Sequence, residues 1–149
     1  MSGELNLRVL VVDDEALVLA LVSRLLRDAG HTAVEAGSAR QALGILERSD
    51  LPIDLVLTDV VMPETDGRAL GMLIAERYPA LPVAYMSAYP ANDVFHRGAP
   101  VPNAVFLSKP FSTEALLGLV EAALARRQRD RVPGFRTSRK LDRRPGPTT

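Results

Sequence analysis

Five short apolar runs alternate with stretches of helical periodicity along 149 residues. This alternation predicts a single α/β domain with a mostly parallel sheet covered by helices on both faces. Two further observations support the prediction. The runs are rich in Val and Leu, as strands buried on both faces are. The intervening stretches are also long enough to act as the crossover connections that parallel strands require.

The elements follow in order. Leu7–Val12 (LRVLVV) is the first strand and ends in Asp13-Asp14-Glu15. Glu15–Ala29 is helical, with apolar residues three and four apart, among them Leu17, Leu21 and Leu25, and Gly30 is placed to stop it. His31–Ala36 is a weaker strand. Ser38 caps a second helix running to about Arg48, and Gln41 completes a capping box. Ile53–Thr58 is the third strand. It ends in one carboxylate, Asp59, followed by Met62-Pro63 and a turn closing in Asp66-Gly67.

Gly67–Arg77 is the third helix, with Leu70, Leu73 and Ile74 on one side and Pro79 beyond its end. Pro82–Ser87 is the fourth strand. Ala91–Arg97 has room for one or two helical turns among Pro90, Gly98, Pro100 and Pro102. Ala104–Leu107 is the fifth strand. Ser112 caps a last helix with Glu114 in its first turn and Leu116, Leu117, Val120 and Leu124 as its core stripe. The apolar periodicity stops after Arg127. Residues 1–127 are therefore expected to form the folded domain and residues 128–149 a disordered tail.

The composition, 47% hydrophobic and 24% charged, is that of an ordinary globular protein. No apolar run approaches the roughly 20 residues of a membrane helix, and the start lacks the pattern of a signal peptide. A cytoplasmic protein with no membrane partner is expected. The chain has no cysteine, which excludes disulfides, thiolate metal sites and a thiol nucleophile. The net charge of zero hides an asymmetry. Residues 1–125 hold 9 Arg/Lys against 16 Asp/Glu, and residues 126–149 hold 9 against 2. A basic tail of this kind leaves nucleic acid open as a partner, although a solvated tail is the simpler expectation.

In a doubly wound sheet, ligands bind beyond the carboxyl ends of the strands. The residues at those ends are Asp13 and Asp14, Asp59, Ser87 and Lys109. Each alone has an ordinary explanation: a helix cap, a turn former, a structural hydroxyl, a solvated charge. Together they place three carboxylates, a hydroxyl and an ammonium on one rim. Like charges so gathered repel unless a cation intervenes. An all-oxygen donor set suits Mg²⁺. His31 and His96 lie away from this set and are expected to be structural or surface residues.

Four blocks in order, VLVVDDE, LTDVVMPETDG, Ser87-Ala88 after an apolar strand, and FLSKPF at Phe106–Phe111, resemble the receiver domain of two-component response regulators. The resemblance covers about residues 6–127. It implies a flavodoxin-like sheet of order 2-1-3-4-5. It implies that Asp59 takes a phosphoryl group from a histidine kinase or a histidine phosphotransfer protein. Asp13, Asp14, Asp59 and the backbone carbonyl of Val61 would hold Mg²⁺, and Lys109 would neutralise phosphoryl charge. Ser87 and Phe106 would act as the switch, Lys109-Pro110 would be a cis peptide, and Val61 and Tyr89 would tune dephosphorylation.

The chain departs from the family's usual pattern in places. The segment between the fourth and fifth strands is rich in proline, where the family usually has a full helix. Phe106 replaces the commoner Tyr and keeps only its steric part. This style is closer to receivers associated with hybrid kinases. The apolar residues Val61 and Tyr89 suggest a long-lived phosphoryl group. The expected output is a protein–protein surface for an unknown downstream protein, without a DNA-binding domain and without enzymatic turnover beyond the chain's own phosphorylation and dephosphorylation. A hybrid-kinase or phosphorelay module is the near alternative. An aspartyl phosphohydrolase is the more distant one, because its nucleophile motif needs an Asp-x-Asp spacing and Asp13-Asp14 are adjacent.

Overall fold

The structure is a computed structural model that describes residues 6–48, 50, 52–62, 66–87, 105–109 and 111–130. Strand β1 spans Arg8–Val12, β2 Thr32–Ala36, β3 Leu55–Asp59, β4 Val83–Ser87 and β5 Val105–Ser108. Helix α1 spans Ala16–Asp28, α2 Ala39–Glu47, α3 Gly67–Arg77 and α4 Thr113–Asp130. The strands form one sheet in the order β2-β1-β3-β4-β5, and every neighbouring pair is parallel. This is the flavodoxin-like arrangement implied by the receiver resemblance.

Side-chain alternation divides the sheet between two cores. Val9 and Val11 of β1, with Leu55, Leu57 and Met86, meet Leu19, Val22 and Leu26 of α1 and Leu116 and Val120 of α4. Leu10 and Val12, with Val56, meet Ala39 and Ala42 of α2 and Leu70 and Ile74 of α3. Each Val or Leu buried in this way stabilises the fold by about 1.5–3 kcal/mol relative to its exposed form. The strands are apolar on both faces because both faces are covered. β1 has β2 on one edge and β3 on the other, so the winding reverses between β1 and β3. Asp13 and Asp59 stand at that reversal.

Local chemistry sets the helix ends. Gly30 adopts φ 95°, and the N–H groups of Gly30 and His31 donate to the carbonyls of Arg27 and Leu26, a Schellman close to α1. Ser38 Oγ accepts from Gln41 N at 3.1 Å. The Gln41 side chain reaches back one residue further than a standard capping box and accepts from Gly37 N at 2.6 Å. Asp66 Oδ1 caps α3 by accepting from Ala69 N, and Ser112 Oγ caps α4 by accepting from Ala115 N.

Several expectations need correction. Leu17 and Leu21 are 85% and 55% exposed, so they do not form the buried stripe of α1. That stripe is Leu19, Val22, Ser23 and Leu26. In α4 the core residues are Leu116, Leu119 and Val120, while Leu117 is only partly buried. β5 runs one residue past Leu107 because Ser108 pairs with Ser87. α4 continues to Asp130, beyond the point where apolar periodicity ends; Arg and Gln are good helix formers and need no apolar partner to extend it. Residues 131–149 of the expected tail, the expected helical turns at Ala91–Arg97 and His96 lie outside the described residues. Among the described residues, no helix is long and apolar enough to cross a membrane.

Candidate functional site

The carboxyl ends of β1, β3, β4 and β5 converge on one rim. Asp13 follows β1 and is fully buried; Asp14 beside it is exposed. Asp59 is the last residue of β3 and only 8% exposed. Ser87 is the last residue of β4 and is buried. Lys109 follows β5, and its backbone N–H donates to the Ser87 carbonyl at 2.7 Å. That bond continues the sheet ladder and places Lys109 opposite the acidic pair.

Lys109 Nζ lies 3.0 Å from Asp13 Oδ2 and 3.3 Å from Asp59 Oδ1. The other oxygen of Asp13 accepts from Glu15 N at 2.9 Å, so Asp13 also orders the start of α1. Carboxylate oxygens of Asp13, Asp14 and Asp59 all lie within 4.8 Å of one another. Burial pushes the Asp59 carboxyl up to about 6, with Lys109 opposing the rise and Asp13 adding to it. Burial pulls the Lys109 ammonium down, but its hydrogen bond to Asp13 and the charges of Asp59 and Asp13 outweigh this and raise it above its ordinary value.

Among the described residues, Lys109 is paired with Asp13 and Asp59, and Asp14 adds a third carboxylate to the group. At an effective dielectric near 20, two like charges at such a separation repel by about 3 kcal/mol or more. The donor set is all oxygen, and Asp14 is open to solvent. Those are the properties Mg²⁺ requires, since it keeps several waters and takes one or two carboxylates. The residues therefore fit that ion.

The remaining expected residues divide. Val61 is 54% exposed, two residues after Asp59. Phe106 is partly buried against Val60 and Tyr85 and is in register with Tyr85. Tyr89 and Pro110, and with Pro110 the expected cis peptide after Lys109, lie outside the described residues. His31 is remote from the rim: its Nδ1 accepts from Leu7 N at 3.1 Å, at the amino ends of β1 and β2.

Sequence reasoning missed Tyr85, whose side chain is fully buried beneath this rim, and Thr58, whose hydroxyl donates to the Asp59 carbonyl at 2.9 Å. An aromatic residue in an apolar strand carries no signal of this kind. Asp66, immediately before the glycine that opens α3, did carry a readable capping signal.

A doubly wound sheet with two buried carboxylates and one exposed carboxylate at its switch point, and a lysine reaching them from the end of β5, defines an acidic-rim α/β module. The chain belongs to the response regulator receiver domain family, whose model matches residues 9–121. It is 44% identical over 129 residues to the response regulator protein FleR of Pseudomonas aeruginosa, covering 84% of this chain and 25% of that protein. It is 38% identical over 117 residues to the sensor kinase CckA of Brucella abortus, covering 78% of this chain and 12% of the kinase.

Among solved structures, it resembles a signal receiver domain of an HD domain-containing protein from Pseudomonas fluorescens. The TM-score is 0.75 and the identity 26%, over 83% of this chain and 98% of that one. The receiver domain of the hybrid histidine kinase CckA matches with TM-score 0.66 and 32% identity, over 78% and 98%. The chain thus spans a quarter of FleR and an eighth of CckA.

Proposed function

We propose that Asp59 accepts a phosphoryl group from the phosphohistidine of a histidine kinase or a histidine phosphotransfer protein. Asp13, Asp14, Asp59 and the Val61 carbonyl are the residues that would hold Mg²⁺. The observation carrying this reading is a buried Asp59 at the switch point, 3.3 Å from Lys109 and grouped with two further carboxylates.

In the step, an Asp59 carboxylate oxygen attacks phosphorus. The P–N bond to the donor imidazole breaks, its electron pair stays on the ring nitrogen, and an acyl O–P bond forms. Burial pushes this carboxyl up to about 6 in the metal-free site, so it is ionised and able to attack at neutral pH. Lys109 donates hydrogen bonds to the transferring oxygens and offsets their charge. Bound Mg²⁺ supplies further charge neutralisation there. Asp13, 3.0 Å from Nζ, holds Lys109 in reach of Asp59. The Ser87 hydroxyl then hydrogen-bonds the new phosphoryl group. Phe106 responds sterically and alters a surface read by a downstream protein in the cytoplasm.

In this reading the chain turns over nothing except its own phosphoryl group. Acetyl phosphate with Mg²⁺ should add one phosphoryl group, detected by intact mass and mapped to Asp59. An adduct that survives Asp59→Asn, or no adduct on the parent, overturns the proposal. The likeness to CckA favours a second reading, a relay module that passes the group on to a phosphotransfer histidine. Rapid transfer from phosphorylated Asp59 to such a protein distinguishes it from a terminal switch.

A further inference from the structure

Four glycines lie inside the described helices, Gly44 in α2, Gly67 and Gly71 in α3, and Gly118 in α4. A β-carbon at Gly44 or Gly118 would meet nothing within 4 Å. The two in α3 are different. A β-carbon on Gly67 would overlap the carbonyl oxygen of Asp59 and lie 3.0 Å from the Asp59 carbonyl carbon and from Val60 Cα. A β-carbon on Gly71 would overlap the hydroxyl of Tyr85.

Neither residue has positive φ; Gly30 alone does among the described glycines. The backbone therefore has no need of glycine at 67 or 71, and alanine is the better helix former. What glycine supplies at both positions is space.

We infer that Gly67 is a positioning residue for Asp59. Its missing side chain lets the first turn of α3 sit directly on the peptide that carries the acceptor. Two hydrogen bonds pin that peptide, and a third pins the next one. Thr58 Oγ1 donates to the Asp59 carbonyl at 2.9 Å, Val60 N donates to the Met86 carbonyl at 3.0 Å, and Gly67 N donates to the Val60 carbonyl at 2.7 Å. One turn further along α3, Gly71 receives the Tyr85 hydroxyl, and Tyr85 is the register partner of Thr58. The end of β3, the end of β4 and α3 thus form one packed unit. The position of the Asp59 carboxylate and of the Val60–Val61 backbone follows from how deeply α3 is seated.

This inference rests on the proposed phosphoryl acceptance for its rate readout. A second readout, the backbone amide shifts of Asp59, Val60 and Val61 with and without Mg²⁺, is independent of it. In the full chain, Gly67→Ala should slow acyl-phosphate formation from acetyl phosphate by about 10- to 100-fold, the loss expected of a displacement near 1 Å. It should also weaken Mg²⁺ binding and shift those three amides, while the far-ultraviolet circular dichroism is kept.

Gly44→Ala and Gly118→Ala, at open positions, should leave rate and amide shifts unchanged. A purely structural Gly67 would lower the melting temperature of Gly67→Ala while rate and Mg²⁺ affinity stayed at parent values, and that result overturns the inference. If Gly67→Ala does not fold, Gly71→Ala lifts the same helix against Tyr85 and should slow the reaction, and adding Tyr85→Leu should restore it. A Gly71→Ala protein with parent rate and parent shifts also overturns the inference. If the parent itself takes no phosphoryl group at Asp59, the proposed function fails. The amide shifts of Gly67→Ala then decide the positioning role alone, and unshifted amides refute it.

Discussion

Lys109 is held more closely by Asp13 than by Asp59: Nζ stands 3.0 Å from Asp13 and 3.3 Å from Asp59. Asp13 is fully buried, so this ammonium compensates a charge that water cannot reach.

Lys109→Met should therefore destabilise the metal-free protein by about 3 kcal/mol, because breaking a buried pair leaves one charge without a partner. Added Mg²⁺ should recover much of the loss by binding the same carboxylates. Urea unfolding with and without Mg²⁺ checks this. The rate of phosphorylation should fall on the order of 10²-fold even with Mg²⁺, as when a donor to a developing charge is removed.

The Asp59 carboxyl, pushed up to about 6 from 3.8, makes stability depend on pH. Between these values the folded state holds a proton that the unfolded state has released. The stabilisation is complete below about 3.8 and is lost as pH rises through about 6. Asp59→Asn should consequently stabilise the metal-free protein at pH 7.5 by on the order of 2–3 kcal/mol. It should also flatten the dependence between pH 4 and pH 7.5. Urea unfolding in EDTA across that range is the measurement.

His31 carries a dependence of opposite sign. Burial lowers it below 6.5, with Glu121 opposing, and its Nδ1 accepts from Leu7 N. Its contribution is fully present above 6.5 and is lost as pH falls through the lower folded value. In an Asp59→Asn background, His31→Asn should remove the remaining loss of stability as pH falls below 6.5, read from melting temperatures.

Ser23 is fully buried in α1, and its hydroxyl has no hydrogen-bond partner among the described residues. Ser23→Ala removes an unpaired polar group and adds a better helix former. A gain of about 1–2 kcal/mol is expected from chemical denaturation.

Val61 is exposed two residues after Asp59, and its side chain has no group to orient water. Val61→Asn should speed autodephosphorylation several-fold, measured by loss of acyl phosphate after donor removal. An equal or slower rate counts against a long-lived phosphoryl group in the parent.

The sheet and the rim were legible in the sequence because each strand is a short apolar run and the chemistry sits at the run's end. Asp59 closes β3, and Lys109 follows β5, so reading strand ends was enough to assemble the set. Helix α1 was read less well. Nearly every position from Leu17 to Leu26 is apolar, so two stripes compete. The buried one contains a serine, which a rule based on hydrophobicity discards.

The tight seat of α3 was illegible for another reason. A glycine's missing side chain says nothing about what fills the space, and the atoms of Asp59 and Tyr85 that fill it belong to other strands.

The central place of β1 has a consequence for the nascent chain. β1 leaves the ribosome before both of its neighbours and meets β2 first, because β3 begins only at Leu55. For the several seconds that synthesis needs to reach that point, the edge of β1 destined for β3 is an open template of Val and Leu amides and carbonyls. Chaperone occupancy, and aggregation of arrested chains, should therefore peak while β1 but not β3 has emerged and drop once Asp59 has left the ribosome.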